Sequence, residues 1–186
     1  MNLEQAYKDV DTKMKKSMEH LQKELNSVRT GRASITLLDG IAVDYYGNET
    51  PLNQMSTLSV PESRMITIQP WDPSLLANIE KAIMQSDLGL TPTNDGKIIR
   101  VSLPVLTEER RVQLVKLVKK MAEDAKVAVR NVRREGNDNL KSLEKGKDIS
   151  QDDLHKAMDH IQEITDDYVS KVDEVIDAKE KEIMEG

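Results

Sequence analysis

The segment from Thr107 to Gly146 contains no proline and one internal glycine, Gly136. Its apolar residues recur mostly three or four positions apart, at Leu114, Val118, Met121, Ala125, Val129, Val132, Leu140 and Leu143. That spacing predicts one amphipathic helix, with Thr107 as its cap, Glu108 and Glu109 in its first turn and Gly146 as its stop. At 1.5 Å per residue such a helix is about 60 Å long. Only another long helix can cover an apolar stripe of that length, and the sequence supplies two. Leu3, Tyr7, Val10, Met14, Met18, Leu21, Leu25 and Val28 mark one that should end near "RTG", with Gly31 as its stop. Ser150 and Asp153 resemble a capping box ahead of another stripe, at Leu154, Met158, Ile161, Ile164, Tyr168, Val172, Val175 and Ile183. The connection "GKDIS" is short, so the second and third helices should be antiparallel neighbours, and the first completes a three-helix bundle.

The intervening chain follows different rules. All six prolines and five of the eight glycines fall between residues 31 and 104. There the apolar period becomes 2: Ile41, Val43 and Tyr45 alternate, as do Ile66 and Ile68, and Ile99, Val101 and Leu103. Between the strand patterns, "WDPSLLANIEKAIMQSD" offers Asp72 as a cap and Pro73 at the first helical position. Leu75, Leu76, Ile79, Ala82 and Ile83 form its apolar face. The expected fold class is therefore α+β. Residues 1–30 and 105–186 form a discontinuous three-helix bundle, and residues 31–104 form an inserted, small, β-rich α+β domain. Two chain crossings, near 29–32 and 104–107, join them without a long tether. A hinge is expected there, at Gly31, Pro104 and Val105.

Charge is as unevenly distributed as structure. The chain has a formal net charge of −6, yet residues 110–147 carry 12 basic and 5 acidic side chains, while residues 148–186 carry 4 and 13. On the second helix, Lys119, Lys126, Arg130, Arg133, Asn137 and Lys141 are expected to form a continuous outward line, with Arg134 beside it. Guanidinium forks suit phosphate, so a polyanion could lie along that line. The competing reading is a solvated face, or pairing with the acidic third helix inside the bundle. With aromatic residues at 3% there is little to stack bases on, which favours backbone or shape recognition of folded RNA over reading of single strands.

Catalytic chemistry has few candidates. There is no cysteine, which removes thiolate metal sites and cysteine nucleophiles. His155 and His160 are about 140° apart around a helix and His20 lies on another, so no metal site and no cofactor is expected. Gly89 and Gly96 stand alone, outside any phosphate-binding loop or nucleophile elbow. No apolar run exceeds three residues, and "MNLEQAYKDV" has acids where a signal peptide needs a basic and then apolar start. A soluble, cytoplasmic protein with no membrane partner is expected.

Five segments carry a resemblance: "RTGRAS" (29–34), "LLDGIAVDYYG" (37–47), "EKAIMQSDLGL" (80–90), "LPVLTEERR" (103–111) and "VRNVRREGND" (129–138). In order, over essentially the whole chain, they resemble the ribosome recycling factor family. The resemblance implies a near-L-shaped molecule of tRNA-like dimensions, acting as a monomer and without enzymatic activity. After termination, such a protein works with elongation factor G, and with GTP hydrolysis by that partner, to part the ribosomal subunits. By the same resemblance Arg130 and Arg133 match contacts to large-subunit ribosomal RNA, with Arg134 and Lys126 beside them, and Arg29, Gly31 and Arg32 match a hinge segment that also meets RNA. Gly136 departs from the alanine usual in the family. It falls on the core side of its helix, so it either permits close helix approach or merely weakens the helix. In the second case Gly136→Ala should stabilise by about 0.5–1 kcal/mol. Two other readings remain at this point: a coiled-coil adaptor whose basic stripe pairs with acidic helices of a protein partner, and a hydrolase in the middle domain, for which no residue constellation speaks.

Overall fold

The structure, a computed structural model, describes residues 1–185. The chain divides into two compact units, Met1–Arg29 with Glu108–Glu185, and Thr30–Thr107.

The first unit holds α1 (Leu3–Ser27), α3 (Glu108–Lys145) and α4 (Gln151–Glu185). A capping box opens α1: Asn2 Oδ1 accepts from the Gln5 N–H at 2.8 Å, and Gln5 Oε1 accepts from the Asn2 N–H at 2.9 Å. The helix stops at Ser27, before the glycine expected to end it. Val28 is already extended and donates its N–H to Leu25 O at 3.1 Å, and Ser27 Oγ donates to Glu24 O at 2.6 Å. These bonds satisfy terminal carbonyls without a left-handed residue. The end of α3 also differs from expectation. Asp148 N–H bonds Leu143 O and Lys147 N–H bonds Glu144 O, both at 2.9 Å, which is a Schellman motif. Its register puts the left-handed backbone on Lys147, at φ 61°, and not on Gly146. Before α4, Ser150 Oγ accepts from the Asp153 N–H at 3.0 Å and Asp153 accepts from the Ser150 N–H at 3.3 Å, completing the expected box.

Buried side chains on the three helices include Val10, Met14, Val129, Leu140, Ile161, Val172 and Ile183. Several residues expected at the centre of a stripe, among them Met121, Val132, Leu154, Met158, Ile164 and Val175, lie half-buried on its flanks. Ala122, Gly136, Ala157 and Thr165 are buried instead. Where helices approach closely, small residues take the line of contact and larger ones pack beside it. Gly136 is the extreme case: a Cβ there would stand 2.6 Å from Val10 Cγ2 and 3.3 Å from Ile161 Cδ1. Tyr168 hydroxyl donates to Asp11 Oδ1 at 2.7 Å, fastening α4 to α1. Burial first, and that hydrogen bond second, push the phenol up to about 12.

The second unit contains β1 (Ala42–Tyr45) and β2 (Asn48–Pro51), an antiparallel hairpin turning through Tyr46 and Gly47, both at positive φ. It also contains an antiparallel sheet of β3 (Ser56–Glu62), β4 (Met65–Pro70), β5 (Pro92–Asn94) and β6 (Ile99–Ser102), in the order β3-β4-β6-β5. Ile66 faces Val101 and Ile68 faces Ile99 across β4 and β6, so the β-branched pairs are in register. The carboxylate of Asp72 accepts from the Ser74 N–H at 3.0 Å, and a 3₁₀ turn at Pro73–Leu75 leads into α2 (Leu76–Gln85), whose Ile79 and Ile83 complete the core with Val43. Two expected strand positions fall outside this core. Tyr45 is exposed at the end of its hairpin, and Leu103 lies beyond β6.

Candidate nucleic-acid interface

The cations of α3 divide according to helix phase. Measured from buried Val129, 100° per residue places Arg133 and Lys126 at about 40° and 60°, Arg130 at about 100° and Arg134 at about 140°. The first two positions flank the core, so the expected continuous outward line does not form: Lys126 and Arg133 are half-buried, while Arg130 and Arg134 are exposed. Lys126 Nζ forms an ion pair with Asp173 of α4 at 2.6 Å. Arg133 Nη1 donates to Gln162 Oε1 of α4 at 3.3 Å. Arg111 Nη1 reaches Met184 O at 2.8 Å, near the far end of α4. As position rises on α3 it falls on α4 in these three pairs, which is the antiparallel arrangement. Part of the α3 charge is thus taken up inside the bundle.

Arg130 and Arg134 retain their charge toward solvent. Among the described residues Arg130 has no side-chain partner, and Arg134 has only the weak neutral contact Nη1 to Asn131 Oδ1 at 3.5 Å. The neighbouring carboxylate, Glu135, is drawn the other way. It accepts from Lys13 Nζ of α1 at 2.6 Å, and that lysine also reaches Asp9 at 3.2 Å. The hydrogen bonds to Glu135 and then Asp9 raise the Lys13 ammonium above its usual range. A lysine of α1 therefore balances the acid nearest the arginine cluster. What remains is an exposed pair of guanidiniums flanked by a third, able to make bidentate contacts to phosphate oxygens.

The other predicted residues lie at the borders of the two units. Arg29 is exposed at the end of the helical unit, and Arg32 is exposed at the start of the β-rich one. Gly31 has φ +78°, and a Cβ on it would lie 3.2 Å from Leu106 Cγ and 3.7 Å from Pro104 O. Only glycine enters that backbone region without strain. Pro104 and Val105 are exposed.

Among the described residues no cluster of three metal-ligating side chains occurs, and no helix is long and apolar enough to cross a membrane. In the β-rich unit a groove of about 570 Å³ is lined by Asp39, Asp44, Glu49, Lys81, Ser86 and Asp87, among others, with no histidine. Its one hydroxyl, on Ser86, is bonded to Ile83 O at 2.6 Å. Nothing in the groove pairs a nucleophile with a base.

Sequence reading did not single out Gln162. Its Nε2 donates to Asp166 Oδ1 at 2.9 Å while its Oε1 faces Arg133. The Gln/Asp spacing of four on one helix was the available signal.

A family model described as "Ribosome recycling factor" matches residues 21–184. A ribosome-recycling factor of Desulfatibacillum aliphaticivorans is 55% identical over 183 residues, covering 98% of this chain and 99% of its own. That of Bacillus subtilis is 58% identical over 173 residues, covering 93% and 94%. Among solved structures, a solution structure of ribosome recycling factor superposes with a TM-score of 0.76 at 44% identity, covering 100% of this chain and 99% of the other. Another, of the T. thermophilus ribosome recycling factor and the E. coli elongation factor G bound to the E. coli post-termination complex, gives a TM-score of 0.65 at 45% identity. It covers 98% of this chain and 99% of the other.

Proposed function

The chain belongs to the ribosome recycling factor family, and we propose on that basis that it binds the post-termination ribosome and, with elongation factor G, separates the ribosomal subunits. The protein is not an enzyme; GTP hydrolysis belongs to the partner. In this reading it works as a cytoplasmic monomer needing no cofactor. The observation that carries the proposal is the full-length similarity, which includes both units and the arginine segment of α3.

The bundle, residues 1–30 and 105–186, engages large-subunit ribosomal RNA through Arg130, Arg133 and Arg134, with Arg29 and Arg32 supplying further cationic contacts. Lys126, already paired with Asp173, contributes least. The inserted domain, residues 31–104, turns on its two backbone crossings, where Gly31, Pro104 and Val105 form the hinge. Elongation factor G drives that turn, and the anchored bundle converts it into disruption of the subunit interface. Phosphate binding accounts for an arginine cluster on a chain of net charge −6 without requiring base readout, which its few aromatics could not supply.

The test is ribosome co-sedimentation across a salt series with the double variant Arg130→Ala/Arg133→Ala. Affinity should fall, and the log–log salt dependence should flatten by roughly one unit per lost phosphate contact. Circular dichroism should remain that of the intact bundle, since neither side chain is in the core. Unchanged affinity at every salt concentration would reject the RNA role of these arginines. An adaptor of acidic helices would instead lose a protein complex and keep its ribosome association.

A further inference from the structure

Of the cations on α3 that touch α4, two end on different chemistry. Lys126 meets a carboxylate, Asp173, at 2.6 Å and is neutralised by it. Arg133 meets an amide, Gln162, at 3.3 Å, and the carboxylate stands one step further away, where Asp166 Oδ1 accepts from Gln162 Nε2 at 2.9 Å. The exposed face of α4 around this point carries Asp159, Glu163, Asp166, Asp167, Asp173 and Glu174. On so acidic a helix, the hydrogen-bond partner of Arg133 among the described residues is neutral.

We propose that Gln162 and Asp166 are positioning residues for Arg133, holding its guanidinium in place without neutralising it, so that it remains available to a phosphate. The inference rests on the reading of Arg133 as an RNA contact. Guanidinium has five N–H donors and no acceptor. One of them is given to Gln162, fixing the end of a long side chain that is otherwise costly to order, and the remaining donors have no partner among the described residues. Asp166 determines which way the amide faces. With Nε2 bonded to the carboxylate, Oε1 must point to Arg133, whereas the flipped amide would set donor against donor and acceptor against acceptor. A carboxylate at position 162 would hold Arg133 more strongly but would compete with phosphate for the same charge.

The experiment measures ribosome affinity across a salt series for wild type, Arg133→Ala, Gln162→Glu, Asp166→Ala and the double variant Gln162→Glu/Arg133→Ala, with thermal melts as a control on folding. Gln162→Glu should weaken binding about three- to tenfold and flatten the salt slope, and it should have no further effect once Arg133 is alanine. Asp166→Ala provides a test of sign. Removing a negative charge tightens RNA binding if only long-range repulsion matters, and weakens it if the carboxylate orients Gln162. All three residues lie outside the fully buried core, so melting temperatures should move little. If Arg133→Ala weakens binding while Gln162→Glu and Asp166→Ala do not, the positioning role is wrong and the RNA contact stands. If Gln162→Glu weakens binding equally in the Arg133→Ala background, its effect is general repulsion and the role is again wrong. If Arg133→Ala leaves binding unchanged, the RNA contact fails and the positioning role falls with it.

Discussion

Gly136→Ala should destabilise the bundle, the opposite of the usual effect of removing a glycine from a helix interior. Helix propensity alone favours alanine by about 1 kcal/mol. Against that, the new methyl would stand 2.6 Å from Val10 Cγ2 and 3.3 Å from Ile161 Cδ1, where ordinary contact begins near 3.4 Å. Val10 is 1% exposed and Ile161 is fully buried, so neither group is a free end that can swing into solvent. Val10 is also β-branched and stiff at χ1. Relief therefore has to come from moving α1 or α4, and overpacking of this kind costs about 1–3 kcal/mol. The net effect is a loss of about 1 kcal/mol, or roughly 2–4 °C of melting temperature for a chain of this size, read by circular dichroism at 222 nm. The same structure predicts a reversal. With Val10→Ala the obstructing Cγ2 is gone, and in that background Gly136→Ala should stabilise by about 0.5–1 kcal/mol. A higher melting temperature for the single variant, or no change of sign in the Val10→Ala background, would refute the close-packing argument.

Lys147 holds the left-handed position of the turn between α3 and α4, at φ 61°. Lys147→Gly should add about 0.5–1 kcal/mol of stability in chemical denaturation, because glycine adopts that backbone without the Cβ penalty. Tyr168→Phe removes the hydrogen bond to Asp11 and should cost about 1 kcal/mol at pH 8. It should also change the alkaline limb of stability. With the folded phenol raised from the ordinary 10.0 to about 12, the unfolded chain releases its proton first. The wild type should therefore lose stability as pH climbs from 10 toward 12, and this part of the slope should be absent from the phenylalanine variant, as measured by denaturation at stepped pH.

The sequence made the elements legible where local chemistry decides them. The capping box at Ser150, the Asp72 cap with Pro73 behind it, and the alternation at Ile66 and Ile68 each involve residues within a few positions of one another. Helix ends were less legible because a stop need not use the obvious glycine. Ser27 closes α1 with its own hydroxyl, and a Schellman register shifts the left-handed residue from Gly146 to Lys147. Strands β2, β3 and β5 escaped because their burial is weak: β2 and β5 have no repeated buried positions, and β3 buries fully only Ser56.

Charge on α3 shows the same limit at the candidate site. Composition by segment revealed that this helix is basic and α4 acidic, but not which cations that acidity consumes. The answer depends on about 60° of helix phase, the difference between Arg133 and Arg130, and on which α4 residue arrives opposite each cation. Asp173 lies opposite Lys126 and removes its charge from the surface, whereas Gln162 lies opposite Arg133 and leaves it. A count of opposite charges would score the two contacts alike as pairing with an acidic helix. Their consequences for a phosphate ligand are opposite, because an amide can accept a hydrogen bond from guanidinium without cancelling its charge. If Arg133 binds phosphate, the acidity of α4 is compatible with that role because a neutral residue, Gln162, and not a carboxylate, is its partner on α4.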